Sequence, residues 1–212
     1  MFRKILLLVS LVLAAAHASR SAIDLTPVVT EYVGEGILYH QIVFKQPKGS
    51  ITMELPNQWS CTGSGDRVRL TPPPAKAFAE GVITSSPLQA PQPLDEAVIA
   101  AFKQQVLASV PPGSQAVTLM AEIENSIRLD GNPGFEFVIS YKLLGQTFRR
   151  NAVLVHMPDT RLVFQFSAPE KDFDALGKTF RHAFATMQWA QPSPAKSVAQ
   201  SSAAGDRRAE IK

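Results

Sequence analysis

The sequence predicts an α+β protein, a three-layer α/β/α sandwich around a mainly antiparallel sheet. Residues 135–168 alternate in a way that leaves apolar side chains on both faces of successive strands. Two segments, 94–110 and 170–187, carry apolar residues at helical spacing. An antiparallel sheet with one face in water would show a single apolar set, so helices are expected on both faces of this sheet.

The central segment is expected to be an antiparallel meander. Gly145 and Pro158-Asp159 are turn signals that separate three alternating stretches. With two-residue turns, Tyr141 lies opposite Phe148. Leu154 then lies opposite both Phe135 and Val163. One face is predicted to carry Phe135, Phe137, Ile139, Tyr141, Ala152 and Leu154, and the other Val153, Val155, Leu162, Phe164 and Phe166.

Both helices have recognisable ends. The first, Leu94 to Val110, is expected to stop at Pro111-Pro112-Gly113. The second follows Ser167 and Glu170, which have the spacing of a capping box, with Pro169 in the first turn. Its apolar stripe continues to Met187, and the acids near its start suit the helix dipole, so they are given a structural role.

Shorter elements surround this centre. Strands are predicted over 37–44, 50–55, 67–70, 80–84 and 117–129. Residues 19–36 form a turn-prone lead-in segment, and Cys61 is expected in a Gly/Ser-rich loop. Residues 37–190 are therefore predicted to form one domain, in line with the usual domain size.

The two ends of the chain have other roles. Arg3 and Lys4, an apolar run and Ala16-His17-Ala18 follow the order of a secretory signal peptide, so cleavage after Ala18 and a secreted or periplasmic location are expected. The run is shorter than the roughly 20 residues of a membrane span, and no transmembrane span is expected after cleavage. Residues 191–212 lack apolar periodicity and are predicted to be disordered.

Charge argues against nucleic-acid binding. The net charge of +3 falls to +1 without the two cations of residues 1–18. Residues 191–212 have a net charge of +2. The body is thus near −1, with no basic cluster of the kind that nucleic acid requires.

The pattern resembles the PsbP-like family of small exported proteins. The resemblance rests on Ile51-Thr52-Met53-Glu54-Leu55-Pro56-Asn57-Gln58-Trp59, on the meander from Gly134 to Ala168, and on the final helix from Phe173 to Met187. It implies an α/β/α sandwich that serves mostly in binding, assembly or accessory roles. The family has no invariant catalytic residue to carry over.

Four side chains are candidates for a ligand or partner patch: Arg150, His156, Arg161 and Gln165. They share one face of the predicted sheet with Ser167, beyond the Phe135 cluster. Two interpretations stay open. The patch is either a solvated polar margin with salt bridges, or a surface for an anionic ligand or a protein partner.

The function expected from these features is that of an exported, monomeric, non-enzymatic binding or accessory protein of the cell envelope, without cofactor or metal. Its partner would be a protein or a small ligand. The alternatives are a small exported hydrolase or transferase with a site near His156, helped by a carboxylate or Cys61, and an envelope protein tethered by its tail. No nucleophile, base and orienting group stand at a recognisable spacing, which weighs against the enzyme.

Overall fold

The computed structural model describes residues 23–190 except Lys48 and Ala77. The predicted signal peptide and the predicted disordered tail lie outside the described residues. Eleven strands and two helices follow one another as β1 Pro27–Gly34, β2 Ile37–Gln46, β3 Gly49–Leu55, β4 Ser60–Ser64, β5 Arg67–Thr71, β6 Glu80–Pro87, α1 Glu96–Ala108, β7 Gln115–Leu129, β8 Asn132–Leu143, β9 Gln146–His156, β10 Thr160–Pro169, α2 Glu170–Ala185 and β11 Gln188–Ala190.

All strand pairs are antiparallel, and they form two sheets rather than one. Seven strands make the larger sheet in the order β4-β5-β6-β10-β9-β8-β7. The smaller sheet has the order β1-β2-β3-β11. The α+β class is confirmed. The three-layer description is not, because a second sheet shares the space beside α2.

The predicted register of the meander is confirmed. Tyr141 pairs with Phe148, and Leu154 lies between Phe135 and Val163. A two-residue turn at Leu144-Gly145, both with positive φ, joins β8 to β9 in the way that matches strand twist.

Both faces of the meander are buried, as the alternation predicts. Phe102 and Val106 of α1 pack on one face with Phe137, Tyr141 and Leu154. The other face packs against α2 and the smaller sheet. That second core includes Phe44, Ile51, Met53, Val153, Val155, Phe164, Phe166, Phe173, Phe180 and Phe184.

Three elements differ from prediction. The lead-in segment contains a full strand, β1, which pairs with β2 along eight residues. Cys61 lies in strand β4 rather than in a loop, because β4 pairs with β5 despite its small polar residues. The short strand β11 pairs with β3 and closes the other edge of the smaller sheet.

The prediction of a capping box at the start of α2 is wrong. Ser167 still belongs to β10, and Pro169 is the N-cap residue without a side-chain capping bond. The Ser167 hydroxyl accepts a hydrogen bond from Arg150 Nε at 2.7 Å, so it serves the neighbouring strand instead of the helix.

Helix α2 approaches β6 at Gly81. A Cβ atom there would overlap the ring of Phe180, whose side chain is 1% exposed. Phe180 in turn stacks on Phe166 at a centroid distance of 5.6 Å. The glycine thus allows the aromatic core between α2 and the larger sheet to close.

We expect Gly81→Ala to lower the free energy of unfolding by about 1–3 kcal/mol, because the added methyl group must displace a packed aromatic ring. Urea denaturation followed by circular dichroism measures this. Gly177→Ala is the matched control: a Cβ there would lie 3.5 Å from Phe166, an ordinary contact, and alanine favours the helix. Equal stability of both variants would contradict the packing argument.

Candidate functional site

Part of the larger sheet is not covered by α1. The helix packs over β7, β8 and β9 and contacts β10 at Arg161 and Val163, whereas β5, β6 and the rest of β10 present mainly polar residues on that same face. Strand pairing sets Arg67 beside Thr84, and Glu80 beside Ser167. We call the α1 side of β5, β6 and β10, together with Arg150 of β9, the open sheet face.

Arg150 lies at the border between the covered and the open part. Its residue is 5% exposed, and its guanidinium lies 5.6 Å above the ring of Tyr141. It donates to Ser167 Oγ and, from Nη1, to the Ser109 carbonyl and hydroxyl just beyond α1. The Gln165 amide, turned so that both its ends are satisfied, accepts from Arg150 Nε at 2.8 Å.

The charge of Arg150 has no ionic partner among the described residues, since all these acceptors are neutral oxygens. Burial lowers the pKa of its guanidinium from the ordinary value, and Tyr141 and Glu80 partly oppose that effect. The Glu80 carboxylate itself pairs with Arg69 at 3.2 Å. Because Glu80 offsets the burial of Arg150 only in part and is itself paired with Arg69, a further anion beside Arg150 would lower the free-energy cost of burying this cation.

Two cavities adjoin Arg150. The polar cavity, of about 300 Å³, is lined by Arg67, Glu80, Val82, Thr84, Ser109, Arg150, Val163 and Gln165. The apolar cavity, of about 200 Å³, is lined by Phe78, Ala79, Glu80, Pro111, Tyr141, Leu143, Phe148, Arg150 and Ser167. Both open on the α1 side of the sheet.

The sheet brings Arg150 and Gln165 together but separates them from the rest of the predicted patch. His156 and Arg161, paired at the far end of β9 and β10, line neither of these cavities. His156 Nδ1 donates to the Gln92 carbonyl at 2.9 Å, and Arg161 Nη2 donates to Gln105 Oε1 at 2.8 Å. These two side chains therefore hold α1 and the segment before it against the sheet.

Cys61 and His156 cannot form one site. Cys61 pairs with Leu70 and lies against the α2-side core, whereas His156 lies on the α1 side. Their strands are also four spacings apart in the sheet, about 19 Å. Burial raises the pKa of the Cys61 thiol, which reduces its reactivity near neutral pH.

Asp95 is the acidic residue nearest in sequence to Gln92, whose carbonyl binds His156. The Asp95 side chain serves helix α1. Its Oδ1 accepts from the Val98 amide at 2.9 Å and caps α1. Within the described part of the chain, no three His, Cys, Asp or Glu side chains lie close enough to hold a metal ion. Neither described helix is long and apolar enough to cross a membrane.

The sequence matches no protein-family model and none of the curated proteins. Among solved structures, it is similar to cyanobacterial PsbP from Synechocystis sp. PCC 6803. The TM-score is 0.54 and the identity 13%, over 76% of this chain and 98% of that one. The similarity is one of fold. It agrees with the resemblance predicted from the sequence and, at this identity, shows nothing further.

Two other solved structures align less well. LpqN, involved in cell envelope biogenesis of Mycobacterium tuberculosis, gives a TM-score of 0.48 at 17% identity, over 78% of this chain and 92% of that one. A protein from Bacteroides thetaiotaomicron gives 0.46 at 11% identity, over 67% of this chain. The match spans 46% of that protein, less than half of its length.

Two prominent residues of the candidate site, Arg67 and Phe78, are not among the residues that the sequence pattern predicts for the patch. Arg67 and Arg69 alternate with Val68 and Leu70, which indicates that the arginines face away from the core. The neighbours of Arg67 across the sheet, however, depend on the pairing of β5 with β6. Phe78 follows a proline-rich turn and is 74% exposed. No periodicity marks it, since it lies outside any strand or helix.

We expect the protein to lose stability as the pH falls below about 6.5. Burial lowers the pKa of His156, and Arg161 adds to this, while the Gln92 carbonyl and Asp95 oppose it. The unfolded chain then binds more protons than the folded one, so the stabilisation present above the unfolded pKa is lost toward acid.

Urea midpoints measured between pH 5 and 7.5 test this expectation. His156→Gln should flatten the pH dependence, and His182→Gln, the same replacement at an exposed position on α2, is the matched control. An unchanged slope in His156→Gln would show that other groups cause the loss.

Proposed function

We propose that this protein is an exported, non-enzymatic binding or accessory protein of the cell envelope, and that it acts through the open sheet face. One observation carries the proposal: Arg150 is buried beside two cavities without an ionic partner among the described residues. The neighbouring Arg67 adds a second positive charge to the same face. A surface of this kind suits recognition of an anionic group.

Export is part of the proposal and rests on the leader pattern of residues 1–18, with cleavage after Ala18. The proposal also includes membership of the PsbP-like family, a three-layer sandwich in which the smaller sheet shares one outer layer with α2, and a single domain over 37–190 to which β1 adds an edge strand. A disordered tail over 191–212 and a monomeric state belong to it as well. The fold similarity to cyanobacterial PsbP supports the family assignment. The resemblance to this family implies binding and accessory roles.

A non-enzymatic role is favoured by the distribution of reactive groups. His156 uses Nδ1 to hold the Gln92 carbonyl, and Cys61 lies on the opposite face of the sheet. Nucleophilic catalysis needs a nucleophile, a base and an orienting group within hydrogen-bond reach of one another. The arrangement around His156 therefore gives the alternative of a hydrolase or transferase no support.

The patch is redefined within this proposal. Arg150 and Gln165 stay in it, joined by Arg67 and Glu80, and the role of His156 and Arg161 becomes the support of α1 over the sheet. Charge changes in the buried Arg150 would disturb folding, so the exposed arginines of β5 are the residues to test.

We expect the double variant Arg67→Glu/Arg69→Glu to lose the physiological partner or ligand, because it reverses the charge of the open sheet face. Cross-linking in the envelope fraction, followed by affinity capture and mass spectrometry, should show at least one component several-fold depleted relative to wild type.

Lys171→Glu/Lys178→Glu is the matched control, since it makes the same charge change on the exposed side of α2. It should capture the wild-type set. If both double variants capture the same components as the wild type, the open sheet face is not the binding surface.

A further inference from the structure

The two cavities beside Arg150 share part of their lining. Glu80 and Arg150 line both of them. The remaining lining is mainly polar in one cavity and mainly apolar in the other. We call them together the Arg150 groove. Their volumes of about 300 and about 200 Å³ bring the groove into the size range of small-molecule sites, roughly 300–1,000 Å³.

The polar end has an excess of positive charge. Arg150 and Arg67 both line it, and its one lining carboxylate, Glu80, forms an ion pair with Arg69. Gln165 and Thr84 add polar groups that can bind an oxygen atom. An oxyanion placed here would add to the countercharge that Glu80 supplies to Arg150 only in part, and guanidinium groups bind carboxylates and phosphates with matching geometry.

Aromatic side chains line the apolar end, although only Phe78 among them is exposed. Tyr141 and Phe148 stack with a centroid distance of 5.7 Å and an interplanar angle of 11°, and form one wall. Leu143 and Pro111 extend it. Phe78, 74% exposed, stands at the mouth, where an apolar ligand group would remove its ring from water.

We propose that the Arg150 groove binds a small amphipathic anion. Its carboxylate or phosphate lies at Arg150 and Arg67, and its short aliphatic or aromatic part lies against Phe78, Tyr141 and Phe148. The proposal rests on the proposed function and adds the chemistry of the ligand. The compact volume of each end favours a small molecule over a peptide strand, which needs a longer groove or a free sheet edge.

The probes are octanoate and octyl phosphate, which share the tail and differ in the head group. Calorimetric titration of residues 19–212 with each probe, below its micelle-forming concentration, measures affinity, and two-dimensional NMR locates the site. We expect binding of at least one of them, with amide shifts at Arg67, Phe78 and Gln165. Acetate and inorganic phosphate, without a tail, and 1-octanol, without a charge, should bind at least tenfold more weakly.

Exposed residues provide variants that leave the core intact. Arg67→Gln and Phe78→Ser should each weaken binding of the better probe about tenfold, as expected for one lost charge contact or one lost aromatic contact. Arg128→Gln and Val33→Ser are matched controls at exposed positions outside the groove lining, and they should bind as the wild type does.

Failure of both probes to bind, or binding that Arg67→Gln and Phe78→Ser leave unchanged, would overturn this inference. The capture experiment on Arg67→Glu/Arg69→Glu separates that result from failure of the proposed function. Loss of a captured protein there, without binding of either probe, would keep the open sheet face as a binding surface and assign it to a protein partner instead.

Discussion

The burial of both faces of the β8–β9–β10 meander is the constraint on which the rest of the structure depends. On one face, the ring of Phe166 contacts Trp59, Phe173 and Phe180 at centroid distances of 5.6–6.4 Å. Each such side chain contributes roughly 1.5–3 kcal/mol by leaving water. The strands can form a stable sheet only if other elements cover both of these surfaces.

The two covers differ in extent, and this difference creates the site. Helix α2 and the smaller sheet bury the aromatic face, and a partly buried ion pair ties the helix to β8: Arg181 donates to Glu136, which also accepts from Asn151 at 3.1 Å. Helix α1 has 13 residues and covers only part of the opposite face, mainly over β7, β8 and β9. Arg150 lies at the margin, where cover ends and the open sheet face begins.

Arg150 has a structural role in this arrangement besides the recognition role proposed for it. By donating to the Ser109 carbonyl it satisfies one of the carbonyl groups that the end of α1 leaves free, and it places a cation where the helix dipole favours one. The same side chain lines both cavities. Any ligand of the Arg150 groove would therefore sit beside the end of α1, with Ser109 and Pro111 as part of its surroundings.

The sequence by itself determined the local periodic structure: both helices, the meander and its register, because alternation and turn length leave one pairing that buries Phe137 and Phe164 on opposite faces. It did not reveal β1, β4 or β11, whose residues lack periodicity and become strands only by pairing with β2, β5 and β3. The tertiary structure alone decided the site. Arg67 and Phe78 each line a cavity with Arg150 because β5, β6, β10 and β9 pair over long distances in the sequence, and such distant contacts leave no pattern in the residues around each of them.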